Sequence, residues 1–214
     1  MPSNTYAVLI ADVMKSSTRT DIRGLLGKRL VAASRRHLRQ KLIKLPYSIT
    51  AGDEFQTIAA APSLVPAIIL DLRRTFRPLS LRIGIGLGHI NDRIQPPVNR
   101  LGGEAFQAAR KAIDGIKSHS LFKFEVLTSF ESPNEHFNET INLIYSLHDT
   151  LVLKITEKQW KTIEEFQNTP ALERAAKRLK LDSSTVSRNL KRGYYWQLSE
   201  TAKATASLIK QSFS

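Results

Sequence analysis

Asp12 and Asp53 are the side chains whose surroundings most suggest chemistry. Asp12 follows the apolar run Tyr6 to Ala11, which reads as a buried strand with the acid just past its end. Asp53 falls in the turn Gly52-Asp53-Glu54, between strand-like stretches at 47–51 and 55–60, so a hairpin carries it. If these strands are neighbours in one sheet, the two carboxylates converge. The chain has no cysteine, and no histidine lies near either acid. Two such carboxylates, with Glu54 as a third beside them, suit a hard cation held through oxygen, Mg²⁺ or Mn²⁺. A metal so placed clamps a nucleoside triphosphate and lowers the pKa of an attacking hydroxyl. The plain alternative is that both acids are ordinary turn and cap residues.

The loop after Asp12 fits an anion. Val13, Lys15, Ser16 and Ser17 precede a helix, whose N-terminal N–H groups attract negative charge, and Gly52 adds a permissive backbone on the hairpin side. These five are the expected nucleotide contacts.

The elements that must position these residues follow from periodicity. A basic helix spans 22–44 and stops at Pro46; a helix covers about 63–76; Leu81 to Leu87 is a strand. An amphipathic helix at 104–117, a last strand at 122–128 and a helix at 133–153 complete the first part. The order β-α-β-β-α-β, extended by α-β, is the ferredoxin-like, split βαβ pattern of an α+β domain. Gly84, Gly86 and Gly88 alternate on one strand face, which lets a helix approach closely. Gly102-Gly103 reads as a flexible turn or a phosphate cradle, and His89 as a solvated strand-end residue.

Four segments carry a resemblance: ADVMKSS (11–17), ITAGDEFQ (49–56), LRIGIGLGHI (81–90) and GGEAFQAARKA (102–112). In this order they resemble the SatD family of bacterial proteins, with a C-terminal helix-turn-helix in its pattern. More distantly they are similar to the catalytic domain of class III nucleotidyl cyclases, and the GDEF tetrapeptide to the metal turn of GGDEF-type cyclases. The resemblance implies a cyclase-like domain in which Asp12 and Asp53 hold metal and Arg110 serves catalysis. The Asn that the cyclases place four residues before this Arg is here Phe106, which cannot donate a hydrogen bond, and Ile49 and Thr50 stand where a base-reading Lys is expected.

From 155 to 214 the pattern is all-helical, which sets a boundary between a 1–154 domain and a 155–214 domain. Thr169-Pro170 reads as N-cap and N1 of a helix to about Leu179. A turn through Lys180 and Leu181 leads to a second helix capped by Asp182 or Ser183 and ending near Arg192. Ala176, Leu179, Leu181, Val186 and Leu190 are the apolar set of a helix-turn-helix. The second helix then shows Ser183, Ser184, Thr185, Ser187, Arg188, Lys191 and Arg192 outward, hydroxyls and arginines for a major groove and lysines for phosphates. An ordinary basic helical hairpin is the alternative. Trp160, Phe166 and Trp196 are expected core anchors.

The net charge is +13, from 32 Lys and Arg against 19 Asp and Glu, and it is shared by both halves. Such a field attracts polyanions. No apolar run spans a bilayer and no signal peptide is evident, so a cytoplasmic protein without a membrane partner is expected. Homodimerisation is expected too, with 133–153 as its best seam. Three functions stay open: a DNA-binding regulator that senses a nucleotide, an active nucleotidyl cyclase or nucleotidyltransferase, and an interaction protein that retains neither activity.

Overall fold

The computed structural model describes residues 5–14, 22–118 and 122–213. Five strands form one sheet: β1 (Tyr6–Val13), β2 (Ser48–Ala51), β3 (Glu54–Ile58), β4 (Leu81–Gly88) and β5 (Thr128–Glu131). Their order is β2-β3-β1-β4-β5. β1 lies between β3 and β4, antiparallel to both, which is the split βαβ arrangement, and β5 adds in parallel to the β4 edge. Helices α1 (Ile22–Arg39), α2 (Val65–Thr75), α3 (Glu104–Lys117) and α4 (Glu135–Lys154) alternate with the strands. The fold is α+β, with helices α5 (Glu157–Asn168), α6 (Leu172–Leu179), α7 (Ser183–Arg192) and α8 (Tyr195–Phe213) following.

Alternation along β1 builds two cores. Ala7, Leu9, Ala11 and Val13 pack with Leu26 and Leu30 of α1 and Ile68, Ile69 and Leu72 of α2. Val8 and Ile10 face the other way, onto Ala105, Ala109 and Ile113 of α3. The alternating glycines of β4 let α3 settle against the sheet. A Cβ on Gly86 would lie 2.0 Å from the carbonyl oxygen of Ala105 and 2.2 Å from the backbone nitrogen of Ala109. No side chain fits there, so close helix packing is the reason for the glycine.

Several sequence expectations shift. α1 ends at Arg39, well before Pro46, because Lys41 turns into the left-handed region at φ 55°. Residues 122–127 are not a strand: Phe122 and Phe124 stack on each other with centroids 5.2 Å apart, and the ladder begins at Thr128, opposite Ile83. Asp12 lies within β1, opposite Arg82, rather than beyond it. α6 begins at Leu172, capped by Ala171 without a side-chain bond, because Thr169 to Ala171 closes a tight backbone turn of 2.6 Å.

α5 opens with a capping box, Thr156 and Gln159 each serving the other's backbone N–H. Its Trp160, Ile163 and Phe166 join Ala175 and Ala176 of α6, Val186 and Leu190 of α7 and Leu198 of α8 in a third core. Trp196, expected inside, is 54 % exposed. α8 turns Leu198, Thr205 and Ile209 inward, and Trp196 falls on the opposite side, edge-on to Tyr195. Leu181 is likewise exposed. Ile209 reaches the first core, so α8 ties the helical segment to the sheet. On α4, Ile141 is buried, Ile144 and Leu151 are half-buried, and Leu143, Leu147 and Leu153 stand out from the expected seam. Among the described residues no helix is long and apolar enough to cross a membrane.

Candidate functional site

The register of β1 and β3 places Ala11 opposite Phe55, and one step further sets Asp12 beside Glu54 on the face covered by α3. The carboxylates that meet are therefore Asp12 and Glu54. Lys117, at the end of α3, joins them: its Nζ is 3.0 Å from Asp12 Oδ2 and 3.5 Å from Glu54 Oε2. Arg110, two turns earlier on the same helix, donates to both oxygens of Glu54 at 2.7 and 2.6 Å. Thr50 Oγ1 donates to Glu54 Oε1 at 2.8 Å, and Arg82 Nη1 lies 3.8 Å from Asp12 Oδ2. Asp12 Oδ1 is buried and has no partner among the described residues.

Of the expected site residues, Asp12, Glu54 and Arg110 thus come together. Asp53 stays on the hairpin turn, half-buried, and forms no hydrogen bond or ion pair with a described residue. Gly52 adopts φ 60° there with open space around it, so its glycine serves the turn. Val13 sinks its side chain into the first core. Lys15, Ser16 and Ser17 lie outside the described residues. Sequence reasoning missed Lys117, Thr50 and Arg82. The signal for Lys117 was its spacing: seven residues from Arg110 is two helical turns, hence one face.

The electrostatics follow from the packing. Burial alone raises the Glu54 carboxyl, but hydrogen bonds from Arg110 and Thr50 and the charges of Arg110 and Lys117 outweigh it and hold the group at about 2. Burial lowers Lys117, but its bond to Asp12 and the charges of Asp12 and Glu54 together outweigh burial, so its ammonium is raised overall. A carboxyl depressed in the fold stabilises it fully above the ordinary value of 4.5, and the contribution drains away as pH falls toward about 2. Glu54→Gln is therefore expected to lower stability near neutrality, with the gap to wild type closing below about 4.5. Urea melts of both proteins across that range check it; a gap independent of pH would refute the charge pairing.

A divalent metal does not fit this donor set. Both Glu54 oxygens are committed to Arg110 and Asp12 Oδ2 to Lys117, which leaves Asp12 Oδ1 as the one free carboxylate oxygen of the pair. Mg²⁺ requires octahedral oxygen coordination, and here an ammonium stands between the two acids. Among the described residues no group of three or more His, Cys, Asp or Glu side chains is placed to hold a metal.

The two helices beyond α5 have their own geometry. Lys180 takes φ 55° and ψ 44°, and Leu181 N–H donates to the Ala176 carbonyl at 3.0 Å, which closes α6 with a Schellman motif built on lysine instead of glycine. Such a non-glycine costs on the order of 1 kcal/mol. Asp182 caps α7 through Thr185 N–H at 2.7 Å and also accepts from the hydroxyls of Ser184 and Thr185, and these bonds hold its carboxyl well below the usual range. Ser184, Ser187, Arg188, Lys191 and Arg192 are exposed; Ser183 and Thr185 are half-exposed, and Thr185 is held to the cap through its hydroxyl.

The model of the SatD family matches residues 6–208. The chain belongs to the SatD family. Among curated proteins none matches this SatD-family chain. Solved structures similar to it include adenylate cyclases from Trypanosoma brucei in their monomeric state, at 14 % identity and a TM-score of 0.37, over 54 % of this chain and 71 % of that one. A bacterial light-regulated adenylyl cyclase matches at 17 % identity and 0.40, over 59 % and 42 %. A regulator of polyketide synthase expression from Bifidobacterium adolescentis matches at 16 % identity and 0.29, over 97 % and 80 %. These likenesses are too distant to assign a role to any residue of the SatD-family chain.

Proposed function

We propose that this protein is a DNA-binding regulator in which α6 and α7 form a helix-turn-helix and the sheet domain binds a nucleotide. The observation that carries the DNA reading is the face of α7: Ser184, Ser187, Arg188, Lys191 and Arg192 lie exposed while Val186 and Leu190 anchor the same helix. A short helix held rigidly from behind, with basic and hydroxyl side chains in front, suits a major groove. The net charge of +13 supplies the long-range attraction. Helix-turn-helix proteins bind two half-sites as dimers, and the exposed Leu143 and Leu147 of α4 offer a seam.

The nucleotide reading rests on Arg110 and Lys117, whose charges are held near the sheet by carboxylates that a triphosphate can replace. It needs no Mg²⁺ or Mn²⁺, since Lys117 supplies the charge that an ion would. Catalysis by Arg110 as a cyclase is not part of the proposal, because Phe106 offers no hydrogen bond and Arg110 is engaged by Glu54.

Fluorescence anisotropy on a short mixed-sequence duplex tests the DNA reading. Arg188→Ala with Lys191→Ala is expected to weaken binding at least tenfold and to lower the salt slope by about one phosphate contact, that of Lys191. Unchanged affinity and slope would overturn α7 as the contact and leave the basic helix α1 to explain any binding.

A further inference from the structure

Four buried N–H donors find no acceptor among the described residues: Nε of Arg36, Arg73 and Arg77, and Nε1 of Trp160. All four residues line one of two neighbouring cavities, the larger between α1, α2 and α5 and the smaller between α2, α4 and α5, and Arg77 and Trp160 line both. The larger measures about 490 Å³, a size that accepts a metabolite, and the smaller about 70 Å³. Buried donors without acceptors are rare in folded proteins and ask for a partner. Here they sit behind the walls of one junction, closed off from the cavities themselves, so they mark a region short of acceptors, and a ligand would be met by the other guanidinium nitrogens that line the space.

The charges agree. Arg74 and Lys161 also line the larger cavity, which gives four cations against two acids, Glu157 and Glu164. Asp71 braces Arg36 and Arg74, so the guanidinium groups are positioned before any ligand arrives. Arg77 packs over the Trp160 ring at 5.6 Å. Its acidic partner Glu157, at 3.0 Å, is itself 73 % exposed and free to yield to a stronger anion. Lys161 is exposed and pairs with no described carboxylate. Several guanidinium donors around one space favour a group with several acceptor oxygens, a phosphate above a single carboxylate.

We propose that this junction cavity binds a small phosphate-bearing anion, held by Arg36, Arg77 and Lys161 against the indole of Trp160. The site is separate from the Asp12 and Glu54 cluster and does not depend on the nucleotide reading there. Its place gives it a consequence. The ligand bridges α1 and α2 to α5, and α5 is tied to α7 by Asn189 Nδ2 donating to Thr162 Oγ1 at 3.2 Å. Occupancy therefore reaches the helix proposed to read DNA.

Isothermal titration of the full chain with inorganic pyrophosphate tests the site. Saturable binding is expected, weakened at least tenfold by Arg77→Gln and also reduced by Lys161→Gln, an exposed position where folding is not at risk. In Lys117→Ala, which removes the anion contact proposed at the Asp12 cluster, the Arg77-dependent part of the binding should persist. Trp160→Phe, which keeps Trp196, should remove the fluorescence change that accompanies saturation. No binding at millimolar pyrophosphate overturns the proposal. So does binding that survives both Arg77→Gln and Lys161→Gln but is lost in Lys117→Ala, which would place the anion at the Asp12 cluster and leave that separate reading standing.

Discussion

Asp149→Ala is expected to destabilise the fold by about 3–5 kcal/mol, the cost of leaving one member of a buried ion pair without its partner. The Asp149 side chain is fully buried and Arg73 nearly so. Asp149 Oδ1 accepts from Arg73 at 2.9 Å, and Oδ2 accepts from the Leu127 backbone N–H at 2.8 Å. Arg73 also donates to Thr128 Oγ1 at 2.5 Å and to the Leu81 carbonyl at 3.2 Å. One carboxylate thus fixes α2, α4 and the start of β5 together. Its removal strands a guanidinium in the interior and frees the chain just before β5. For a protein of this size the loss corresponds to a fall in Tm of roughly 10 °C. The double variant Arg73→Met with Asp149→Leu, which removes both charges and fills the space, should recover much of it. Thermal and urea melts of the three proteins decide: a loss under about 1 kcal/mol in Asp149→Ala would mean that the pair is hydrated, not buried.

What the sequence discloses divides along a physical line. β1 and the Gly52 turn were legible because an unbroken apolar run and turn chemistry are local signals. The caps around Lys180 and Asp182 were legible for the same reason: helix ends are written in a few adjacent residues. Most failures come where tertiary packing decides, although the start of α6 and the end of α1 shift with local turns at Thr169 and Lys41. Phe122 and Phe124 satisfy each other by stacking, so an aromatic-rich stretch that looks like strand lies outside the sheet. Trp196 reads as core by type, yet the helix phase set by Leu198 and Ile209 turns it outward.

The candidate site shows the same division. Asp12 is found from its strand, and of the two acids expected beside it the pairing brings Glu54 alongside while Asp53 stays on the turn. Strand pairing alternates faces, so a single step of register moves a side chain to the other side of the sheet. A sequence motif places an acid on a turn; only the pairing of β1 with β3 says which acid shares a face with Asp12. Lys117 was missed because the face that α3 presents is fixed by the glycines of β4, a contact no local pattern announces.

The central role of Lys117 leads to the second large effect. Lys117→Ala is expected to create a Mn²⁺ site that the wild type lacks, with affinity raised at least tenfold. In the wild type the ammonium lies 3.0 Å from Asp12 and 3.5 Å from Glu54, and a divalent ion entering there would meet it as well as Arg110 and Arg82. Removing the ammonium frees Asp12 Oδ2, joins it to the unpartnered Oδ1, and leaves that carboxylate open beside Glu54, which stays paired with Arg110. Oxygen donors of that kind favour Mn²⁺. Water-proton relaxation with Mn²⁺ reads the binding directly, without any catalytic assay. Adding Asp12→Asn to Lys117→Ala should abolish the gained site. Wild-type protein that binds Mn²⁺ as tightly as Lys117→Ala, and loses it on Asp12→Asn, would show that the ion displaces the lysine, and the site would then be a metal centre after all.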